Sequence, residues 1–252
     1  MILKVTNLSK TYKTQNGLLP VLDLLNFSIN KGEFVCILGP SGCGKSSLFH
    51  ILSGIENPDS GKITIHHQNT ANRRGKFGYM FQNDLLLPWR NTLDNITLGL
   101  EVKGHTLKKS REEADKLLRK FHLEKFASFY PSDLSGGMKQ RIALLRTIAF
   151  NSDILLLDEP FGSLDALTRM SLQKYLLEIW EKLHLTILFI THDINEAVVL
   201  ADKILVLSKR PAKIIKSIEI NILRPRNIEK MRSSSSINIE KELINLLEKD
   251  IL

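Results

Sequence analysis

Gly39-Pro40-Ser41-Gly42-Cys43-Gly44-Lys45-Ser46 is the stretch that decides the fold. It follows Phe34-Val35-Cys36-Ile37-Leu38, a short apolar run of the kind that forms a buried parallel strand. It leads into Ser47-Leu48-Phe49-His50-Ile51-Leu52, with a helix predicted to start near Lys45. Strand, glycine-rich loop and helix together make an anion site out of backbone. Gly39, Gly42 and Gly44 let successive N–H groups turn inward around a β-phosphate, and the helix adds its positive dipole end. Lys45 is placed to reach the β- and γ-phosphates and the Ser46 hydroxyl to sit on Mg²⁺, with Pro40, Ser41, Cys43 and Ser47 completing the cradle. The spacing is not the G-x-G-x-x-G of dinucleotide binding, so NAD and FAD fit poorly.

A second apolar run, Ile154-Leu155-Leu156-Leu157, carries Asp158 and Glu159 to the sheet edge where open α/β folds bind ligands. The two acids are expected to divide the work. Asp158 would hold the Mg²⁺ shell, and Glu159 would polarise the attacking water as general base. Without the phosphate loop, Asp158-Glu159-Pro160 would read equally well as a polar turn that merely closes the strand.

Leu134-Ser135-Gly136-Gly137-Met138-Lys139-Gln140 reads as a second anion site, with two glycines, a hydroxyl donor and the start of a helix running through Ile148. The chain between Gln82 and Leu134 is predicted to be largely helical. This site therefore sits on a separate lobe and is suited to a nucleotide held by another chain.

With these motifs in order, the chain resembles the ATP-binding subunits of ATP-binding-cassette (ABC) transporters over roughly residues 1 to 225. The resemblance implies that Tyr12 stacks on adenine and that Gln82 touches Mg²⁺ and the attacking water. It implies that Ser135, Gly136 and Gly137 close on the γ-phosphate held by the opposite subunit. Ser163-Leu164-Asp165 resembles the segment crossing the dimer interface, and His192 in Thr191-His192-Asp193 the switch histidine at the γ-phosphate. The implied machine is a head-to-tail dimer that ATP closes and hydrolysis reopens. Its implied partners are an integral membrane permease and, indirectly, a solute-binding protein.

Leu87-Pro88-Trp89-Arg90, Asp158-Glu159-Pro160-Phe161, Arg210-Pro211 and Arg224-Pro225-Arg226 look most like the importer subfamily for nitrate, sulfonates, taurine and related small solutes. Near Gln82, Leu85-Leu86-Leu87 and Trp89 are expected to form a groove for a short helix of the membrane subunit, with ordinary lobe packing as the alternative. Ser47 and Leu145-Arg146-Thr147 depart from the commoner residues of the family without removing a catalytic group. A soluble ABC ATPase acting on ribosomes, DNA or iron-sulfur assembly is the second reading. Paired cassettes, a long coiled coil or zinc cysteines would mark it, and none is visible.

The 252 residues suit one α/β domain with side lobes. The predicted fold is a P-loop NTPase (RecA-like), a mostly parallel sheet core with an antiparallel β lobe and a helical signature lobe. Residues 1 to 227 would form the ABC domain, with the helical lobe at about 84 to 150. Residues 1 to 33, with Lys62–Ile65 and Lys76–Met80, are assigned to the antiparallel lobe around adenine. Strands near 154 to 158, 186 to 191 and 203 to 208 alternate with helices near 166 to 182 and 194 to 200. From residue 228 a flexible segment containing Ser233–Ser236 is expected to precede a short amphipathic helix bearing Ile239, Leu243, Leu246 and Leu247.

The formal charge of +8 is spread along the chain without an aromatic-interleaved basic stripe, so nucleic acid is not expected as a partner. No run is apolar for long enough to span a bilayer, and Met1–Val5 reads as a strand rather than a signal peptide, so the chain is expected to stay inside the cell; the resemblance implies a peripheral place at the cytoplasmic face of the membrane. Cys36 and Cys43 lack metal-site spacing. Cys43, beside a helix start, is expected to have a lowered pKa and to react with alkylators unless ATP protects it.

Overall fold

The structure is a computed structural model that describes residues 1–162, 164–226 and 228–251, without the side chains of 228–229 and 249–251. Strands β1 (Leu3–Thr14) and β2 (Gly17–Ile29) form a long hairpin, followed by β3 (Phe34–Leu38) and helix α1 (Lys45–Ser53). Next come β4 (Ser60–Ile65), β5 (Gln68–Asn69) and β6 (Phe77–Met80). The helices α2 (Thr92–Val102), α3 (Leu107–Lys120) and α4 (Gly136–Ala149) build the side lobe. Then β7 (Ile154–Asp158), α5 (Ala166–Leu183), β8 (Thr186–Thr191), α6 (Ile194–Leu200), β9 (Lys203–Leu207) and β10 (Ile214–Glu219) alternate, before α7 (Ile228–Met231) and α8 (Ser234–Ile251).

The strands form two sheets. One is antiparallel, in the order β2-β1-β4-β5; the other runs β10-β9-β3-β8-β7-β6 and is parallel except at β10. Side chains alternate across the core strands as the pleat requires. Phe34, Cys36, Leu38, Leu155, Leu157, Ile187 and Phe189 face a core closed by the helical lobe, α5 and α6. Val35, Ile37, Ile154, Leu156, Leu188 and Ile190 face a second core closed by α1 and the antiparallel sheet. Both faces of the parallel sheet are thus covered, which explains why its strands read as unbroken apolar runs. From β3 the chain crosses to β6, β7 and β8 on one side, and β9 returns to the other side of β3. The C-terminal ends of β3, β8 and β7 therefore stand side by side at the topological switch, where open α/β sheets bind ligands.

Two expectations are corrected here. Residues 77–80 do not join the antiparallel lobe: β6 pairs in parallel with β7, from Phe77 opposite Ile154 to Met80 opposite Leu157. Its residues are short and mixed, so local pattern left the choice of sheet open, and the partner strand lies far along the chain.

The second correction concerns the tail. Ser234–Ser236 are the first turn of α8 rather than a flexible connection, and the helix is longer than expected. Ser233 Oγ accepts a hydrogen bond from Ser236 N (3.4 Å), the capping geometry serine favours at a helix start. Ser236 is fully buried, and its hydroxyl lies 3.3 Å from Glu240 Oε1. Leu243 is fully buried, Ile239, Leu246 and Leu247 are partly so, and α8 packs along α6. Arg226 fixes the approach to the tail. Its guanidinium donates to the carbonyls of Val198, Val199 and Ala201 at the end of α6 and to those of Ile220 and Ile222. Burial pulls the Arg226 pKa down to about 10.

Candidate functional site

The phosphate loop opens directly from β3. Gly42 (φ +74) and Gly44 (φ +121) occupy backbone conformations that L side chains rarely adopt. At Gly44 a Cβ would also come within 2.6 Å of Val21 Cγ1, so the hairpin presses on the loop from outside. Lys45 begins α1 and is buried, with Nζ donating to the carbonyls of Gly39 (2.9 Å) and Pro40 (3.0 Å). The ammonium is thus held over the loop, with Glu159 Oε1 at 3.9 Å as a loose ion-pair partner.

Asp158 continues the face of Ile154 and Leu156, the face that carries α1. Its Oδ1 accepts from Ser46 Oγ (3.3 Å) and its Oδ2 from the Tyr79 hydroxyl (3.1 Å). Burial pushes the Asp158 carboxyl above the ordinary aspartate range, against the pull of those two hydrogen bonds. Burial and then Asp158 push the Tyr79 phenol upward, so it remains a donor. The buried Asp158 carboxylate and the Ser46 hydroxyl form an all-oxygen donor pair beside the loop, and such a pair suits Mg²⁺.

Glu159 leaves the strand in the left-handed region (φ 43), a conformation that costs a non-glycine residue about 1 to 2 kcal/mol. Its backbone N–H donates to Ile190 O (3.1 Å), and its Oε2 lies 3.0 Å from His192 Nδ1. The turn aims the carboxylate between Lys45 and His192 rather than back along β7. His192 itself follows β8, and Asp193 caps α6 by accepting from Glu196 N (3.0 Å).

A cleft of about 280 Å³ is lined by Tyr12, Leu19, Val21, Gly42, Gly44, Lys45, Ser46, Ser47, Glu159 and Arg210. Tyr12 closes one end, its hydroxyl donating to Glu56. Burial and that carboxylate raise its pKa. Gln82 stands on the exposed loop after β6, its carbonyl accepting from Gln140 Nε2 (3.5 Å); among the described residues no hydrogen bond joins its side chain to Asp158 or Glu159.

The other predicted residues lie outside this cleft. Ser135 caps α4, accepting from Met138 N (3.4 Å), with Gly136 and Gly137 opening the helix. Gly137 packs closely on Thr168, whose Cγ2 would be 2.7 Å from an added Cβ, so α4 starts against the start of α5. Exposed Asp165 caps α5 by accepting from Leu167 N (3.1 Å) and Thr168 N (3.0 Å). Ser163 lies outside the described residues.

Sequence reasoning missed Tyr79 and Arg210. Tyr79 was misread with its strand; once β6 is placed beside β7, alternation from Phe77 puts it on the Asp158 face. Arg210-Pro211 stood out only as a subfamily feature, with no sequence signal that Arg210 lines the cleft. The expectation for Cys43 is also corrected. The thiol is buried, and burial pushes its pKa up despite the nearby Lys45 charge.

A parallel sheet with a phosphate loop, a buried lysine and paired strand-end acids at its switch point defines a P-loop nucleoside-triphosphate-binding protein. Within that class the chain belongs to the ABC transporter family, whose profile matches residues 22–162. It is 40% identical over 250 residues to an ABC transporter ATP-binding protein of Methanocaldococcus jannaschii, covering 99% of this chain and 92% of that one. It is 41% identical to the aliphatic sulfonates import ATP-binding protein of Bacillus thuringiensis (90% of this chain, 89% of the relative). To the nitrate import ATP-binding protein of Synechocystis it is 40% identical (88% and 84%). Among solved structures it resembles a dimeric post-hydrolysis state of the ATP-binding cassette MJ0796 bound to ADP and Pi, with TM-score 0.76, 33% identity, and coverage of 87% of this chain and 99% of that one. The chain is an ABC ATPase.

Proposed function

We propose that this chain powers an importer of a small solute of the nitrate, sulfonate or taurine kind, working as a head-to-tail dimer beneath an integral membrane permease. The observation that carries the reading is the separation of two anion sites. One is a complete triphosphate pole, and the other, at the start of α4, lines no part of it and is open to a second chain. The dimeric cassette structure and the names of the relatives support the same reading. Among the described residues no helix is long and apolar enough to cross a membrane, so the route for solute would come from the permease, with this chain bound peripherally at the cytoplasmic face. Exposed Leu85 and Trp89 offer the permease an apolar foothold. Arg146 of α4 grips the carbonyls of Asp84 and Leu85, which ties that foothold to the signature helix.

In this reading the backbone of Gly39–Ser47 wraps the β-phosphate, and Lys45 exchanges its loop carbonyls for phosphate oxygens. Tyr12 and Leu19 flank adenine. Ser46 and Asp158, with Gln82 swung inward, would hold Mg²⁺, which supplies charge neutralisation at the phosphates. Glu159 takes the proton of the attacking water, and His192 holds that carboxylate and senses the γ-phosphate. Ser135, Gly136, Gly137 and Asp165 serve the partner's nucleotide. Hydrolysis removes the shared γ-phosphate and loosens the interface.

The test is affinity purification of the Glu159→Gln chain from gently solubilised membranes. The expected result is retained ATP binding, turnover lower by at least about 100-fold, and co-purification of a multispanning protein. Recovery of ribosomes, DNA-repair factors or iron-sulfur assembly proteins instead would overturn the importer reading in favour of a soluble ABC ATPase.

A further inference from the structure

Arg210 belongs to the short connection between β9 and β10, and nothing in the phosphate-loop motif requires it. The connection is clipped to the hairpin. Ala212 N donates to Val21 O (2.8 Å) and Asp23 N to Ala212 O (2.9 Å), while Ser208 N donates to Lys213 O (2.9 Å) and Lys213 N to Ser208 Oγ (2.9 Å). These bonds hold residues 208–213 against the strand whose Leu19 and Val21 line the cleft. The Arg210 side chain lines the same cleft as Lys45, Ser46 and Glu159, and its Nη2 would be 3.5 Å from a Cβ on Gly42. Among the described residues no carboxylate pairs with it. A guanidinium held over a phosphate loop by its backbone, with its donors uncommitted, is arranged for an anion that arrives later.

We propose that Arg210 is a nucleotide-contact residue, a second cation that binds the phosphate chain in addition to Lys45. The inference rests on the triphosphate reading of the cleft. A guanidinium is always charged and offers a planar fork of donors to phosphate oxygens. Because Arg210 is exposed, its contribution is screened by water and salt, so it adds to affinity without replacing Lys45.

The experiment measures the affinity of the full chain for MgATP, MgADP and adenosine by titration calorimetry, at low and high salt. Arg210→Gln, Arg210→Lys and Lys45→Ala are compared with wild type, and each melting temperature is taken without nucleotide. Arg210→Gln is expected to weaken MgATP and MgADP about fivefold, a loss typical of an exposed charge contact. Adenosine binding and the nucleotide-free melting temperature should not change, the loss should shrink at high salt, and Arg210→Lys should fall between. Wild-type affinities in Arg210→Gln, beside a clear loss in Lys45→Ala, overturn the inference alone. A lowered melting temperature with equal losses for adenosine makes Arg210 a structural clip and also overturns it. A wild-type chain that binds no nucleotide overturns the triphosphate reading together with the inference.

Discussion

Two helix starts in this molecule carry glycine and a hydroxyl, and they differ in everything around them. At α1 Gly42 and Gly44 take positive φ, Lys45 is buried above the loop, and Asp158 and Glu159 converge on it from β7. At α4, Gly136 has ordinary helical surroundings, Ser135 does no more than cap its own helix, and both are exposed. In the proposed reading the first pole encloses a polyphosphate within one chain. The second offers donors and a dipole on an exposed helix start, and in that reading it becomes a site when another surface brings the anion to it. The same local chemistry serves as a binding pocket or as half an interface, depending on what the fold puts opposite it.

Substitutions at the glycines give the sharpest contrast. Gly44→Ala combines an unfavourable φ of +121 with a Cβ 2.6 Å from Val21 Cγ1. Strain and overpacking of about 3 kcal/mol together imply MgATP binding weaker by roughly 100-fold. Calorimetry checks this, and near-normal affinity would mean the loop has another stable shape. Gly136→Asp has open space, its nearest neighbour being Leu164 Cδ2 at 3.7 Å. It should leave nucleotide affinity of the single chain within about twofold while a carboxylate facing the partner's phosphate cuts turnover about 50-fold. Weakened binding to the single chain would collapse the distinction between the poles.

A smaller effect is expected from the tail, which buttresses α6 behind His192. Leu243→Ala empties a fully buried position. It should cost about 2 kcal/mol and lower the melting temperature by roughly 4 to 8 °C. Unchanged melting would show that α8 is not docked in solution. The smallest effect concerns the burial cost stored at the triphosphate pole. Asp158 has its carboxyl raised by burial. Its charge therefore opposes folding above the folded pKa, and the opposition fades as pH falls through the folded value and then the unfolded one near 4, below which both states are protonated. Asp158→Asn is expected to raise the neutral-pH melting temperature of the nucleotide-free chain by roughly 2 to 4 °C, about 1 kcal/mol, while abolishing Mg²⁺-dependent hydrolysis. The gain should shrink as pH falls through the folded pKa and vanish below about pH 3. A variant less stable than wild type at pH 7 would mean that the bonds from Ser46 and Tyr79 outweigh desolvation.

Much of this was legible in the chain because it is local. Val35 to Ile37 and Ile154 to Leu157 announce buried strands, and the glycine spacing announces the phosphate loop. Asp158 and Glu159 could be named as a pair for the same reason. What escaped was set by distant partners. The sheet that takes β6 is chosen by β7, and that choice turns Tyr79 onto Asp158. The serine run became a capped first turn because Leu243 and its neighbours found α6 to cover. Cys43 sits at a helix start, where the dipole would acidify a thiol, but the second core closes over it and burial prevails. Arg210 reaches the phosphate loop only because backbone bonds from β2 hold its connection there.

The nucleotide-binding loop, the acid pair and the family could be read from the chain alone, since spacing over a few residues dictates backbone geometry and the placement of charge. Only the tertiary structure decided which groups face one another across the cleft, which thiol and carboxyl are desolvated, and where the tail rests. Those outcomes depend on packing between segments far apart in the chain, and that packing leaves no local periodicity to read.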